Sequence, residues 1–395
     1  MKKPRLIVGC AVAGVIVVSM LLAPIVRRGL ILRGILPILD YSDKPYVPAP
    51  LAVYPSSSKL QQSVIVPTLD TKMPKGKNVI WCASFQLAWD RLGKDVLHGP
   101  PAIEKAEDVA ERLNHSKFSE TDVPSDCYYA AAGWSSKGIV KEIRREMQQR
   151  FHRTPTIAEI DDPTNAIVTY GYLEVSIPFP IHYFENPIPM AFKDSENEQT
   201  NVRSFGVNFS RESIDDGPNQ PLCRQVRVLH CALEANKIKT AEFVIDPCRE
   251  SSPNQVLLAY LPAEATLQAT WSSLEKRMAN YPRQANADES FDVDELLVPS
   301  LAWDITHHFA ELEGTDKRLK NNGFVGFYVS HAIQGIRFRL DRGGVELQSE
   351  ASEGYKAVPR EFVFNRPFFI FVRKRGGGAP FFAMYVANAE LLCKP

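Results

Sequence analysis

Leu6 to Val26 is an unbroken run of 21 residues without a charged side chain. At about 1.5 Å of rise per residue, a helix of that length crosses the roughly 30 Å hydrocarbon layer of a bilayer. The run is therefore expected to be a transmembrane anchor within residues 1–30, with the lipid bilayer as its partner. Lys2, Lys3 and Arg5 precede it and Arg27, Arg28 and Arg33 follow, so the charge asymmetry that orients such helices is almost absent. A cleaved export signal is the rival reading, but its apolar core is usually shorter, and two arginines directly after the run suit a retained anchor. Ile7-Val8-Gly9-Cys10 imitates a lipoprotein cleavage box, yet almost nothing apolar precedes Cys10, which reads as a small membrane-buried residue. The main domain is expected on the non-cytoplasmic side of a single-pass protein.

From Asp40 to Lys77, Pro45, Pro48, Pro50, Pro55, Pro67 and Pro74 alternate with the run Ser56 to Ser58. Such a composition favours extended chain over packed elements. Residues 31–76 are accordingly expected to be a stalk, holding a domain over 77–392 away from the membrane at about 3 Å per residue.

The 46 basic residues balance 46 acidic ones. The chain thus lacks the electropositive footprint that nucleic-acid binding requires. Seven Cys, with no pair at the CxxC spacing, are too few for a disulfide scaffold and do not form a zinc ribbon. A 23% charged, 45% hydrophobic composition is that of an ordinary globular protein, not a disordered one.

Within the body, Asn78 to Leu92 is compatible with a buried helix, although its period is ambiguous. Gly138 to Phe151 is clearer, with Ile139, Ile143 and Met147 at i, i+4 and i+8 opposite a charged face. Asn165 to Glu174, Ala241 to Ile245 and Gln255 to Leu261 are β-branched and aromatic runs bounded by turn residues, the signature of strands. Trp271 to Met278 reads as a short helix. Val325 to Val329, Gly335 to Leu340, Pro367 to Lys374 and Pro380 to Val386 again read as strands. Helices early and strands late predict an α+β fold.

The closing run Phe364-Asn365-Arg366-Pro367-Phe368-Phe369-Ile370-Phe371-Val372-Arg373, the glycine turn Gly376 to Gly378, and Phe381 to Asn388 together resemble the final hairpin of serpins, the serine protease inhibitor family. Phe338 to Glu346 resembles the strand and hinge leading into a serpin reactive-centre loop. Asn165-Ala166-Ile167, Gly171 and Pro178-Phe179 are similar to a strand of the family's central sheet and the turn after it. Gln255 to Pro262, Leu297 to Gly314 and the helix entry at Asn78 to Ser84 follow the same order. The resemblance spans Asn78 to Leu392 and implies a serpin-like mixed central sheet with packed helices, the helical region between Asn78 and Asn165 being shortened. Leu173 stands where the family places tryptophan. In the polar cluster that helps the sheet open, Asn165 is kept, while Cys82, Phe85 and Gln334 stand in place of Ser, Ser and His.

The implied activity is mechanical. A serine protease cleaves an exposed loop, and the loop inserts into the central sheet while the acyl-enzyme persists. Here the loop runs from about Gly344 to Glu361, with Gly344, Val345, Glu346 and Leu347 as its hinge. Counting from either end puts the bait bond at Val358-Pro359 or at Lys356-Ala357. Proline after the scissile residue blocks most serine proteases, so Lys356 and a trypsin-like partner are preferred. An inserted strand would turn Val345, Leu347, Ser349 and Ala351 inward, and then Glu353, whose burial without a partner costs several kcal/mol. Inhibition is therefore expected to be weakened or lost, and a non-inhibitory binding or structural module is the alternative.

No enzymatic chemistry competes with this. His307-His308 beside Asp304 and Glu311 offers an i, i+4 pair on a helix face but no third ligand for a metal. Gly376 to Gly378 lacks the helix and Lys-Ser/Thr pair of a phosphate loop. Asp161-Asp162 and Asp215-Asp216 adjoin Pro163 and Gly217 and read as solvated turns. Among Cys223, Cys231 and Cys248, one disulfide or free thiols are equally compatible with the sequence. No catalytic residue, cofactor, small-molecule substrate or nucleic acid is expected.

Overall fold

A computed structural model describes residues 46–343 and 361–395, apart from Lys117, Asp162, Pro178 and the stretches 209–221, 223–224, 234–239 and 282–294. The apolar run Leu6 to Val26 lies outside the described residues, as does the first part of the expected stalk. Among the described residues, no helix is long and apolar enough to cross a membrane.

The described part of the chain starts with strands, within residues expected to be a stalk. β1 (Ala52–Tyr54) and β2 (Ser63–Ile65) both pair with strands far along the sequence. Ala49, Leu60, Ile65 and Val66 are buried in the body. The prolines between them interrupt the ladders without detaching the chain, because a proline at a strand end loses no sheet hydrogen bond. The domain thus begins no later than Tyr46.

β3 (Asn78–Cys82) leads directly into α1 (Ala83–Arg91), which a π-helical segment extends to Leu97. The run expected to be one helix is therefore a strand and a helix, and its mixed period is the trace of that junction. α2 (Glu107–Asn114), β4 (Tyr128–Trp134) and α3 (Ile139–Phe151) follow. α3 begins where Gly138 adopts φ 87°, a left-handed geometry that glycine takes without strain. β5 is Ala166–Ser176. β6 (Phe184–Glu185), β7 (Met190–Lys193), β8 (Gln199–Val202) and β9 (Ser204–Asn208) are short. β10 (Arg227–Leu233), β11 (Thr240–Asp246) and β12 (Asn254–Tyr260) precede α4 (Leu267–Asn280), whose N-cap Thr266 side chain accepts from Ala269 N. β13 (Glu295–Pro299), β14 (Leu301–His308), β15 (Tyr328–Leu340), β16 (Glu361–Val363), β17 (Phe368–Lys374) and β18 (Phe382–Val386) complete the chain.

The strands make an α+β fold with mixed sheets. A five-stranded sheet has the order β1-β14-β15-β5-β4, a seven-stranded sheet β10-β11-β12-β17-β18-β3-β2, and a four-stranded sheet β16-β13-β9-β6. The two larger sheets meet face to face, where Trp303 and Phe338 of the five-stranded sheet pack on Phe382 of the seven-stranded one; the Phe338 and Phe382 centroids are 4.7 Å apart. α1 lies on the same face of the five-stranded sheet. On the opposite face, Ile139, Ile143 and Met147 of α3 pack against Tyr129, Val168, Tyr170, Tyr172 and Ile333. The central sheet is thus held between α3 on one side and α1 with the seven-stranded sheet on the other.

Candidate functional site

β5 and β15 are adjacent and parallel, in register from Tyr328↔Ala166 to Arg339↔Ser176, with one irregularity between Val329 and His331. Alternation puts Ala332, Gln334, Ile336 and Phe338 on the inner face, toward α1 and the second sheet, and Ile333, Gly335 and Arg337 on the α3 face. Gly171 is opposite Gln334. A methyl group at Gly171 would come 2.5 Å from Ser84 O, so the start of α1 touches the seam only because residue 171 has no side chain.

Under that point lies a small polar cluster. Gln334 Nε2 donates to Cys82 O at 2.9 Å and Ser84 Oγ at 3.1 Å, and Cys82 Sγ is 3.2 Å from Ser84 Oγ. Gln334 is fully buried, and its Oε1 has no hydrogen-bond partner among the described residues. Burial pushes the Cys82 thiol up to about 11, so it stays protonated and is no nucleophile.

The structure brings together Cys82 and Gln334 of the expected cluster but adds Ser84 and leaves out two residues. Phe85 is turned into the apolar core, its ring centroid 3.9 Å from that of Phe309. Asn165 sits before the first residue of β5, where its carbonyl accepts from Tyr328 N. It lies six positions from Gly171, about 20 Å at strand rise. The sequence gives no signal for Ser84, the second residue of a helix whose start carries no capping side chain.

On the other face, a row of charges crosses the seam. Asp304 is opposite Arg337 and Arg337 opposite Glu174. Arg153, just past α3, pairs with Asp304, Arg337 Nη1 is 3.7 Å from Glu174 Oε1, and Tyr172 donates to Glu174 at 3.0 Å. Periodicity gives no signal for this row, since its members come from four separate segments.

β15 ends at Leu340, and the next described strand, β16, pairs parallel with β13 in the four-stranded sheet. The connection thus links two different sheets. The expected hinge residues Gly344, Val345, Glu346 and Leu347 and the expected bait residues Lys356, Ala357, Val358 and Pro359 all lie outside the described residues.

His307 and His308 are on strand β14, not on a helix, so they point to opposite faces. His307 Nδ1 is 2.7 Å from Ser57 Oγ and His308 Nδ1 is 2.9 Å from Glu313 Oε1. Burial pushes His307 down to about 4. Among the described residues, no three His, Cys, Asp or Glu side chains are grouped to hold a metal. Cys82, Cys127, Cys248 and Cys393 are free thiols; Cys223 lies outside the described residues.

No family model and no curated protein matches the chain. Solved structures do. The thermophilic serpin tengpin in its native state is 12% identical, with 82% of this chain and 90% of that one covered at a TM-score of 0.48. Mouse protein-Z dependent protease inhibitor is 11% identical over 79% of this chain and 91% of that one, TM-score 0.48. Thyroxine-binding globulin in complex with thyroxine is 13% identical over 80% and 93%, TM-score 0.46.

Proposed function

We propose that the chain is a serpin-like protein that presents residues 344–360 as a bait for a trypsin-like serine protease and whose capacity to complete inhibition is weakened or lost. The observation that carries this is the pairing of β5 with β15. A strand that follows β15 through a tight turn runs antiparallel to it. Between β15 and β5, which are parallel to each other, such a strand is antiparallel to both neighbours. Insertion therefore replaces one parallel pairing with two antiparallel ones, the slightly more stable kind.

The same seam supports the second half of the reading. Separating β5 from β15 breaks the Arg337–Glu174 pair, and Gln334 occupies the space beneath with two donated hydrogen bonds. An inserted Glu353 adds an unpartnered carboxylate, which costs more than the roughly 1.5 to 3 kcal/mol that burial of a Val or Leu side chain returns. A module that binds without inhibiting is the second reading, favoured by these residues. The experiment is incubation with trypsin, with the cut site, any SDS-stable complex and the thermal midpoint of the cut protein as readouts. Cleavage after Lys356 with no stable complex and little change in midpoint is expected. A covalent complex, or a rise of tens of degrees, overturns the weakened-inhibitor half; first cleavage elsewhere in the chain overturns the bait loop.

We further infer that Leu6 to Val26 anchors the chain in the bilayer, with the domain on the non-cytoplasmic side. The support is the uncharged length of the run. The protein should remain in the membrane fraction through a carbonate wash. Recovery in the wash of a chain starting beyond Ala23 would mean that the run is a cleaved signal.

A further inference from the structure

Asp341, one residue past the end of β15, is 4% exposed, and both of its carboxylate oxygens are occupied. Oδ1 accepts from Tyr46 Oη at 2.9 Å and from Gly343 N at 3.0 Å, while Oδ2 accepts from Ala49 N at 2.8 Å. Arg339 Nε lies 3.9 Å from Oδ2. One buried carboxylate thus ties the beginning of the described chain to the stem from which residues 344–360 depart.

The Tyr46 ring fits this place closely. A methyl group on Gly343 would come within 1.9 Å of Tyr46 Cε2, so the ring occupies the space that the glycine leaves. The Arg342 guanidinium lies over the ring at 5.7 Å, and the ring of His182 is 4.8 Å away, centroid to centroid. Arg342 O accepts in turn from Tyr183 N at 2.8 Å. Three segments, 46–49, 182–183 and 341–343, meet at a single point.

From there the chain continues along the edge of the central sheet. β1 pairs parallel with β14 through Ala52↔Trp303, Val53↔Asp304 and Tyr54↔Ile305, and Ser57 Oγ meets His307 Nδ1 near the end of β14. Residues 46–57 therefore follow β14 for most of its length. They cover an edge whose backbone groups would otherwise be unpaired.

We propose that residues 46–57 are a strap that fixes the stem beyond β15 through Asp341, so that the stem loosens only when the strap is unseated. The coupling follows from the chemistry of the carboxylate. Lifting the stem would strip Asp341 of the Tyr46 hydroxyl and the Ala49 amide, and a buried carboxylate that loses partners is strongly penalised. Drawing the strap away has the same consequence from the other side. The proposal goes beyond the bait-loop reading, because it concerns only how the stem is held, whatever the following residues bind.

The test is hydrogen exchange on the full-length protein in detergent, comparing wild type with Tyr46→Phe, which keeps the ring and deletes the hydroxyl. Loss of a hydrogen bond to a charged group predicts roughly tenfold or greater acceleration at the Gly343 and Tyr183 amides, with Ile370 in the seven-stranded sheet unchanged. Asp341→Asn should give the same pattern more strongly, and if that variant fails to fold, Tyr46→Phe still decides. Gly343 and Tyr183 exchanging at the wild-type rate in Tyr46→Phe overturns the proposal, whether or not residues 46–54 themselves loosen.

Discussion

Along β17, Phe368, Phe369, Ile370, Phe371 and Val372 are all fully buried, and β12 beside it contributes Val256, Leu257, Leu258 and Ala259. Along β15, Ile333, Ile336 and Phe338 are equally buried, but Gln334 is buried among them, Gly335 has no side chain, and Arg337 pairs with Glu174 across the seam. The β12–β17 centre of the seven-stranded sheet puts both faces into apolar contact from Val256 to Ala259 and from Phe368 to Val372. The five-stranded sheet interrupts its apolar contact with polar and glycine positions at the single place where two parallel strands adjoin in its interior. Apolar burial returns free energy only while the surfaces stay together, whereas hydrogen bonds and ion pairs exchange with water or new partners at small net cost. The first construction holds one arrangement; the second fastens β5 to β15 with replaceable contacts, so parting them costs less than parting β12 from β17 but still breaks the Arg337–Glu174 pair.

The sharpest way to break that contrast is Phe371→Ala. Phe371 is fully buried, opposite Leu257 and Ala383 in its sheet, with its ring 5.1 Å from that of Trp271. Truncating a buried Phe costs about 3–5 kcal/mol through lost transfer free energy and the cavity left behind. Denaturant unfolding should show a loss of that size. A loss below about 1 kcal/mol would mean that the sheet repacks easily and is not the rigid partner.

How far these two regions were legible from sequence differs for the same reason. β17 and β18 are continuous apolar runs separated by Gly376 to Gly378, and such runs announce buried strands wherever they pair. α3 was equally plain, since Ile139, Ile143 and Met147 share one face. The junction at Cys82 was not, because Val79, Ile80 and Trp81 suit a strand while Phe85, Leu87 and Trp89 suit a helix, and a window across both averages the two periods. Residues 46–76 mislead for a different reason. Their partners are Trp303, Asp304, Ile305, Val79 and Ile80, and proline content reports local stiffness, not distant pairing. The polar seam is harder still. Resemblance assigns Asn165 to it, but only the register that sets Gly171 opposite Gln334 shows that Ser84, not Asn165, faces the glutamine. The role of Asp341 likewise depends on Tyr46 and Ala49, nearly three hundred residues away.

The smallest expected effect tests the seam itself, through Gln334→Leu. The substitution nearly preserves volume at a fully buried position. It deletes an Oε1 that has no partner among the described residues, relieving a burial cost of about 1–3 kcal/mol. It also removes the donor to Cys82 O and Ser84 Oγ, but Ser84 Oγ keeps Cys82 Sγ at 3.2 Å. Replacing a hydrogen-bonding side chain with an apolar one of similar shape can be close to neutral when its former partners are few and partly served by others. The two contributions are of opposite sign and similar size, so unfolding should shift by no more than about 1 kcal/mol in either direction. That outcome would set Gln334 apart from Phe371, two equally buried residues of which only one holds the fold together. A loss of about 3 kcal/mol or more would instead show that the hydrogen bonds to Cys82 and Ser84 fasten the sheet to α1, and the seam would then belong to the permanent part of the molecule.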